Sequence, residues 1–192
     1  MTDTNTPAAK RDFLWEQLQA LPYFRGLLRA VEARSYQQFE ITRPVLDLGC
    51  GDGHFVTAVF EQPLDVGIDP WYGPVKEAAR RGGYRLVIHG AGADMPFPDG
   101  YFSTCISNSV LEHIPGVDEV LKETARVLKP GGLFIFCVPN ENFLKNLSVS
   151  NWLDRIGLKP VGDLYRRFFN RISRHHHCDA PEVWSQRMAK AG

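Results

Sequence analysis

Between residues 11 and 39 the apolar positions recur with helical spacing. Phe13, Leu14, Leu18 and Leu21 make one stripe, and Phe24, Leu27, Leu28, Val31 and Tyr36 continue it beyond a break near Pro22. From Pro44 the period changes. Short apolar runs at Pro44–Leu48, Leu64–Ile68, Tyr84–Ile88, Tyr101–Ser107 and Leu133–Val138 read as strands. Residues 55–60, 75–81 and 117–128 read as helices between them. The last of these is the clearest, with Val117, Val120, Leu121, Thr124, Val127 and Leu128 on one face and Pro130-Gly131-Gly132 as its stop. Residues 140–174 read as irregular. A final helix is predicted from Asp179 as N-cap, with Pro181 in the first turn and Glu182 three residues on. Residues 1–9 are polar and expected to fray.

Short apolar strands alternating with helices imply parallel βαβ units. The expected fold class is therefore α/β, a doubly wound, mostly parallel sheet with helices on both faces. The chain divides into a helical cap over 1–43 and a core over 44–192, with an Arg/aromatic insert at about 140–178.

Composition narrows the function classes only slightly. The 192 residues carry no net charge, so no global basic field draws the chain to nucleic acid. The balance is uneven: residues 143–192 hold nine Lys/Arg against four Asp/Glu, and residues 1–142 hold thirteen against eighteen. The stretch Tyr165-Arg166-Arg167-Phe168-Phe169 leaves open a contact with an anionic membrane surface, against a plain solvated loop. Cys50, Cys105, Cys137 and Cys178 show no disulfide spacing, and no segment is apolar enough to span a membrane. A cytoplasmic protein is the expectation. The run His175-His176-His177-Cys178-Asp179 offers only adjacent ligands, which rarely converge on one ion, so no metal is expected.

The first strand ends in Asp47-Leu48-Gly49-Cys50-Gly51-Asp52-Gly53. In open parallel sheets, ligands bind beyond the carboxyl ends of the strands, and glycines let a ligand lie against the backbone. A G-x-G-x-G run alone is weak, and a plain loop or a nicotinamide dinucleotide site competes with it. Asp47 separates the readings, because a carboxylate there suits a cationic ligand and repels a pyrophosphate. Asp69, some 20 residues past the first glycine, can accept both hydroxyls of a ribose or simply start a turn with Pro70.

The runs V-L-D-L-G-C-G-D-G at 45–53, G-I-D-P at 67–70, M-P-F-P-D-G-Y-F at 95–102, S-N-S-V-L-E-H-I-P at 107–115 and R-V-L-K-P-G-G at 126–132 resemble the successive motifs of class I S-adenosylmethionine-dependent methyltransferases, of the small-molecule, methyltransferase type 11 kind. The resemblance implies that Gly49, Cys50 and Gly51 line the methionine portion of S-adenosylmethionine, and that Asp47 holds its amino group directly or through water. It implies Asp69 and Pro70 at the ribose and Trp71 over the adenine. Where the family often carries an acidic adenine contact this chain has Gly90-Ala91-Gly92-Ala93-Asp94, so that either backbone groups of Gly90, Ala91 and Gly92 replace that contact or Asp94 reaches in. Asn108 and Ser109 would flank the transferable methyl group, and His113 is the candidate general base. For a small-molecule acceptor the candidates are Tyr23, in a lid with Trp15 and Phe24, and Asn140 and His176 of the insert.

The family's sheet has seven strands, and no apolar run follows Ala191 to supply the last two. The expectation is a sheet lacking them, with self-association through the exposed fifth strand. Two alternatives to methyl transfer stay open: a cofactor-binding but inactive truncated domain, and a nicotinamide-dependent oxidoreductase.

Overall fold

The computed structural model describes residues 12–192. The polar start at residues 1–9 and the helical reading at Arg11 lie outside the described residues.

Two helices come first, α1 (Phe13–Ala20) and α2 (Tyr23–Tyr36). Asp12 caps α1 by accepting from the backbone N–H of Leu14 and Trp15. The core then runs β1 (Val45–Leu48), α3 (His54–Val59), β2 (Leu64–Asp69), α4 (Tyr72–Arg81), β3 (Tyr84–His89) and β4 (Phe102–Asn108). A 3-10 turn (Leu111–His113), α5 (Val117–Val127) and β5 (Leu128–Cys137) follow. The chain ends in α6 (Ser148–Arg155), α7 (Lys159–Ser173) and α8 (Pro181–Ala191).

The five strands lie in the order β3-β2-β1-β4-β5, and every pairing is parallel. The order reverses between β1 and β4, which puts the topological switch point at the carboxyl end of β1. Because both faces of β1 are covered, all four of its residues are buried, which is why the strand reads as a continuous apolar run interrupted only by Asp47. One core cluster joins Val45, Val56, Leu64 and Ile106 to Ala30, Ala33 and Tyr36 of α2. The other joins Leu46, Ile68, Phe102 and Leu121 to Trp184 of α8.

Four expectations change. Residues 140–174 are not irregular: they hold a short turn at Leu144–Asn146 and two helices, with Pro160 in the first turn of α7, where its missing N–H costs nothing. Asp179 does not cap α8. Ala180 occupies that position without a side-chain bond, and the Asp179 carboxylate instead lies 3.6 Å from His177 and 3.7 Å from Arg187. Pro130-Gly131-Gly132 sits inside β5, whose pairing with β4 begins at Leu128 and resumes at Leu133 after a register shift. Proline is tolerated there because β5 is the edge strand among the described residues. Last, the apolar stripe of α2 faces outward, with Phe24, Leu27, Leu28 and Val31 exposed, while Gly26, Ala30, Glu32 and Ala33 are buried.

Candidate active site

The loop leaving β1 makes three left-handed turns, at Gly49, Gly51 and Gly53 (φ 78°, 53° and 75°). Their surroundings differ. A Cβ on Gly49 would lie 2.4 Å from Cγ1 of Val110, so this glycine exists to let the 108–113 segment pack onto the loop. At Gly51 a Cβ would meet nothing within 4 Å, so open space lies against the backbone at the switch point.

Asp69 holds that loop in place. Its Oδ2 accepts from Gly51 N–H at 3.0 Å and its Oδ1 from Trp71 N–H at 2.9 Å. Each oxygen keeps a second lone pair for a further donor. Pro70 and Trp71 are exposed beside it. Asp47 is buried and accepts a hydrogen bond of 2.6 Å from the Tyr84 hydroxyl. Burial lifts its pKa to about 7, with the Tyr84 bond opposing and Asp69 adding to the rise.

On the far side of β1, the end of β4 is clamped by α2. The Glu32 carboxylate accepts from Asn108 Nδ2 at 2.8 Å and Ser109 Oγ at 2.9 Å, and it pairs with Arg29, which also donates to Ser109 Oγ at 3.0 Å. Ser109 itself sits at φ 54°, a backbone region few side chains adopt. Glu32 and Arg29 were invisible to pattern reading, since charged residues on a helix usually mark its wet face. The signal available was an acid spaced with the small residues Ala30 and Ala33.

Gly90 and Gly92 are packing positions: a Cβ would meet Ile68 at 3.2 Å and Leu48 at 2.8 Å, respectively. Ala91 between them is exposed. Cys50 is buried beneath the loop, its thiol pushed up by burial first and by Asp47 next.

On the acceptor side the structure separates the candidates. Tyr23 is 84% exposed, and Trp15 and Phe24 are exposed too, while α2 meets the end of β4 through Arg29 and Glu32. Asn140 is exposed and its side chain closes its own turn by accepting from Asn142 N–H. The His176 ring is also exposed, and only its backbone N–H reaches the site region, donating to Glu112 O at 2.7 Å. His113 is half-exposed, with Nδ1 3.3 Å from Arg174 O.

A cleft of about 1040 Å³ opens at the opposite, amino-terminal end of the strands, lined by Arg34, Ile41, Arg43, Phe60 and Leu64. None of the predicted site residues lines it.

An all-parallel sheet with a glycine loop at its switch point and carboxylates at its rim is the arrangement in which open α/β sheets bind ligands. Residues 46–136 match the family described as "Methyltransferase domain", and this part of the chain belongs to that family. The chain is 32% identical over 144 residues to a protein described as an uncharacterized methyltransferase of Mycobacterium sp. (strain JLS), covering 70% of this chain and 51% of that one. It is 28% identical over 161 residues to another from Mycobacterium tuberculosis (strain ATCC 25177 / H37Ra), covering 79% and 59%. The chain thus spans about half the length of the curated relatives it matches. The fold is shared with an S-adenosylmethionine-dependent methyltransferase of Thermotoga maritima, at a TM-score of 0.65 and 21% identity over 93% of this chain and 79% of that one.

Proposed function

We propose that this chain transfers the methyl group of S-adenosylmethionine to a small-molecule acceptor. The observation that carries the reading is the open backbone at Gly51, held by Asp69 and backed by Asp47 and Glu32. A ligand with a sulfonium and an amino acid head would turn its ammonium toward Asp47 and its sulfonium toward the Glu32 end of β4, leaving its neutral ribose to Asp69. A pyrophosphate would meet Asp47 as repulsion, and a ribose contact at Asp69 suits either ligand, so Asp47 is what separates this reading from the nicotinamide alternative.

Bound S-adenosylmethionine supplies an electrophilic methyl carbon. The chain's own residues bind and orient it. Gly49 and Gly51 offer backbone to its methionine portion, with Cys50 between them, and Asp47 faces the amino group directly or through water. Asp69 and Pro70 take the ribose, Trp71 covers the adenine, and the backbone around Gly90, Ala91 and Gly92 meets its edge. Asn108 and Ser109, fixed by Glu32, border the methyl group. Much of the rate in such a transfer comes from proximity and alignment. His113 stands at the acceptor side, where a base is needed only for an acceptor that must lose a proton. The helical segment before residue 44 acts as the cap of the core that follows, and the region of 140–178 borders the acceptor.

Incubating the chain with methyl-tritiated S-adenosylmethionine and a panel of small alcohols, phenols, amines and thiols tests the reading. Labelled product whose formation is lost in Gly51→Val is the expected result. Saturable cofactor binding without transfer to any member of the panel would favour the inactive-domain alternative.

A further inference from the structure

The geometry points to a divalent transition-metal site, of the kind that takes Zn²⁺, formed by Glu112, His113 and His175. One oxygen of Glu112 and one ring nitrogen from each histidine lie within 4.8 Å of one another. Two imidazoles and one carboxylate make a ligand set suited to first-row divalent ions, and three protein ligands leave a position open. The adjacent histidines 175–177 could not supply this set alone. The fold completes it by bringing residues 112 and 113 against a segment some sixty positions later.

The backbone builds that convergence. Arg174 ends α7 in a left-handed turn (φ 51°), which redirects the chain toward the 3-10 turn at Leu111–His113. The N–H groups of His176 and His177 both donate to Glu112 O, at 2.7 and 3.2 Å, and His177 Nε2 lies 3.0 Å from Ile114 O. His175 is thereby delivered against His113, with ring centroids 5.0 Å apart, and rests on Phe143 on its other side.

The three side chains do not satisfy one another. His113 Nε2 is 3.8 Å from Glu112 Oε1, too long for a hydrogen bond. Glu112 is only 2% exposed, and its Oε2 has no hydrogen-bond partner. A buried carboxylate oxygen without a partner calls for a proton, a water or an ion. The orientation of His113 favours the ion: Nδ1 faces Arg174 O at 3.3 Å, where it donates, leaving the Nε2 lone pair turned inward. Tetrahedral zinc bonds of about 2.0–2.1 Å set ligand atoms roughly 3.4 Å apart, so groups now up to 4.8 Å apart must close by up to about 1.4 Å. The half-exposed His113 ring has the freedom to do so.

Metal binding here stands independently of the methyl-transfer reading. That the open position receives an oxygen-bearing acceptor rests on that reading, and it reassigns His113 from base to ligand.

The test titrates the 192-residue chain with ZnCl₂ by calorimetry and with Co²⁺ by visible absorption. One ion per chain is expected, with a visible cobalt band. Glu112→Gln and His175→Ala each should weaken binding at least tenfold, while His176→Ala retains it; far-UV circular dichroism confirms that each variant is folded. No binding to the native chain, or equal binding by folded His175→Ala and Glu112→Gln, overturns the site. S-adenosylmethionine is titrated into the same samples. Metal binding by a native chain that ignores S-adenosylmethionine upholds the site and removes its acceptor role.

Discussion

In the central strands the apolar positions and the buried positions coincide: Val45, Leu46, Leu48, Leu64, Ile68 and Ile106 are all in the core. In α2 they part company. Phe24, Leu27 and Val31 are more than half exposed, while Glu32 is buried between Arg29, Asn108 and Ser109. A strand covered on both faces has no wet side, so its composition reports its burial directly. A helix that borders a polar site can bury small residues and one well-partnered acid instead. Hydrophobic pattern locates the scaffold, and its failure in α2 marks where the scaffold meets the site.

The largest expected effect lies in the sheet half. Gly49→Val forces a branched side chain into a left-handed position already filled by Val110, and should cost about 3 kcal/mol or more in urea unfolding. Gly51→Val, two residues on, meets open space and should cost only about 1–2 kcal/mol of backbone strain while abolishing cofactor binding. Equal stability losses at the two glycines would erase the distinction between packing and ligand space.

Asp47 gives the sheet a pH signature. Its folded pKa of about 7 exceeds its ordinary value of 3.8, so the folded chain holds the proton more tightly than the unfolded chain. This contribution to stability is full below pH 4 and is lost as pH rises through about 7, at up to about 1.4 kcal/mol per pH unit. The groups acting on it are Tyr84, whose bond opposes the shift, and Asp69, which adds to it. Denaturation between pH 4 and 8 should show the decline, and Asp47→Asn should flatten it. A native slope matching that of Asp47→Asn would place the carboxyl in water.

Asp69→Ala should weaken S-adenosylmethionine binding by about 1.5–3 kcal/mol, the scale of a hydrogen bond to a charged group. Unchanged affinity would confine Asp69 to shaping the loop through Gly51 and Trp71.

In the cap, Glu32→Ala leaves Asn108, Ser109 and Arg29 without their acceptor and should cost about 1–3 kcal/mol. Leu27→Ser on the exposed stripe of the same helix should change stability by less than about 0.5 kcal/mol. The reverse ranking would mean that the apolar stripe, and not the acid, anchors α2.

The five strands and the glycine loop were legible because parallel strands read as continuous apolar runs and the loop breaks them with Gly49, Gly51 and Gly53. The helices at Ser148–Arg155 and Lys159–Ser173 were not. Their apolar positions, among them Trp152, Leu164, Phe168 and Ile172, are exposed, and Gly157 and Pro160 punctuate the stretch as loops do. Within the site, Asp47 and Asp69 could be picked out from their place at strand ends. Glu32 could not, because its partners Asn108 and Ser109 lie some 76 positions away. Nor could the meeting of Glu112 and His113 with His175, which depends on the turn at Arg174.

Calorimetric titration of the 192-residue chain with S-adenosylmethionine and, separately, with NAD tests most directly whether the carboxyl edge of β1 is the cofactor site. One S-adenosylmethionine should bind per chain, with the heat lost in Gly51→Val and no heat from NAD. Saturable NAD binding with no response to S-adenosylmethionine, or S-adenosylmethionine binding undiminished in Gly51→Val, would contradict it.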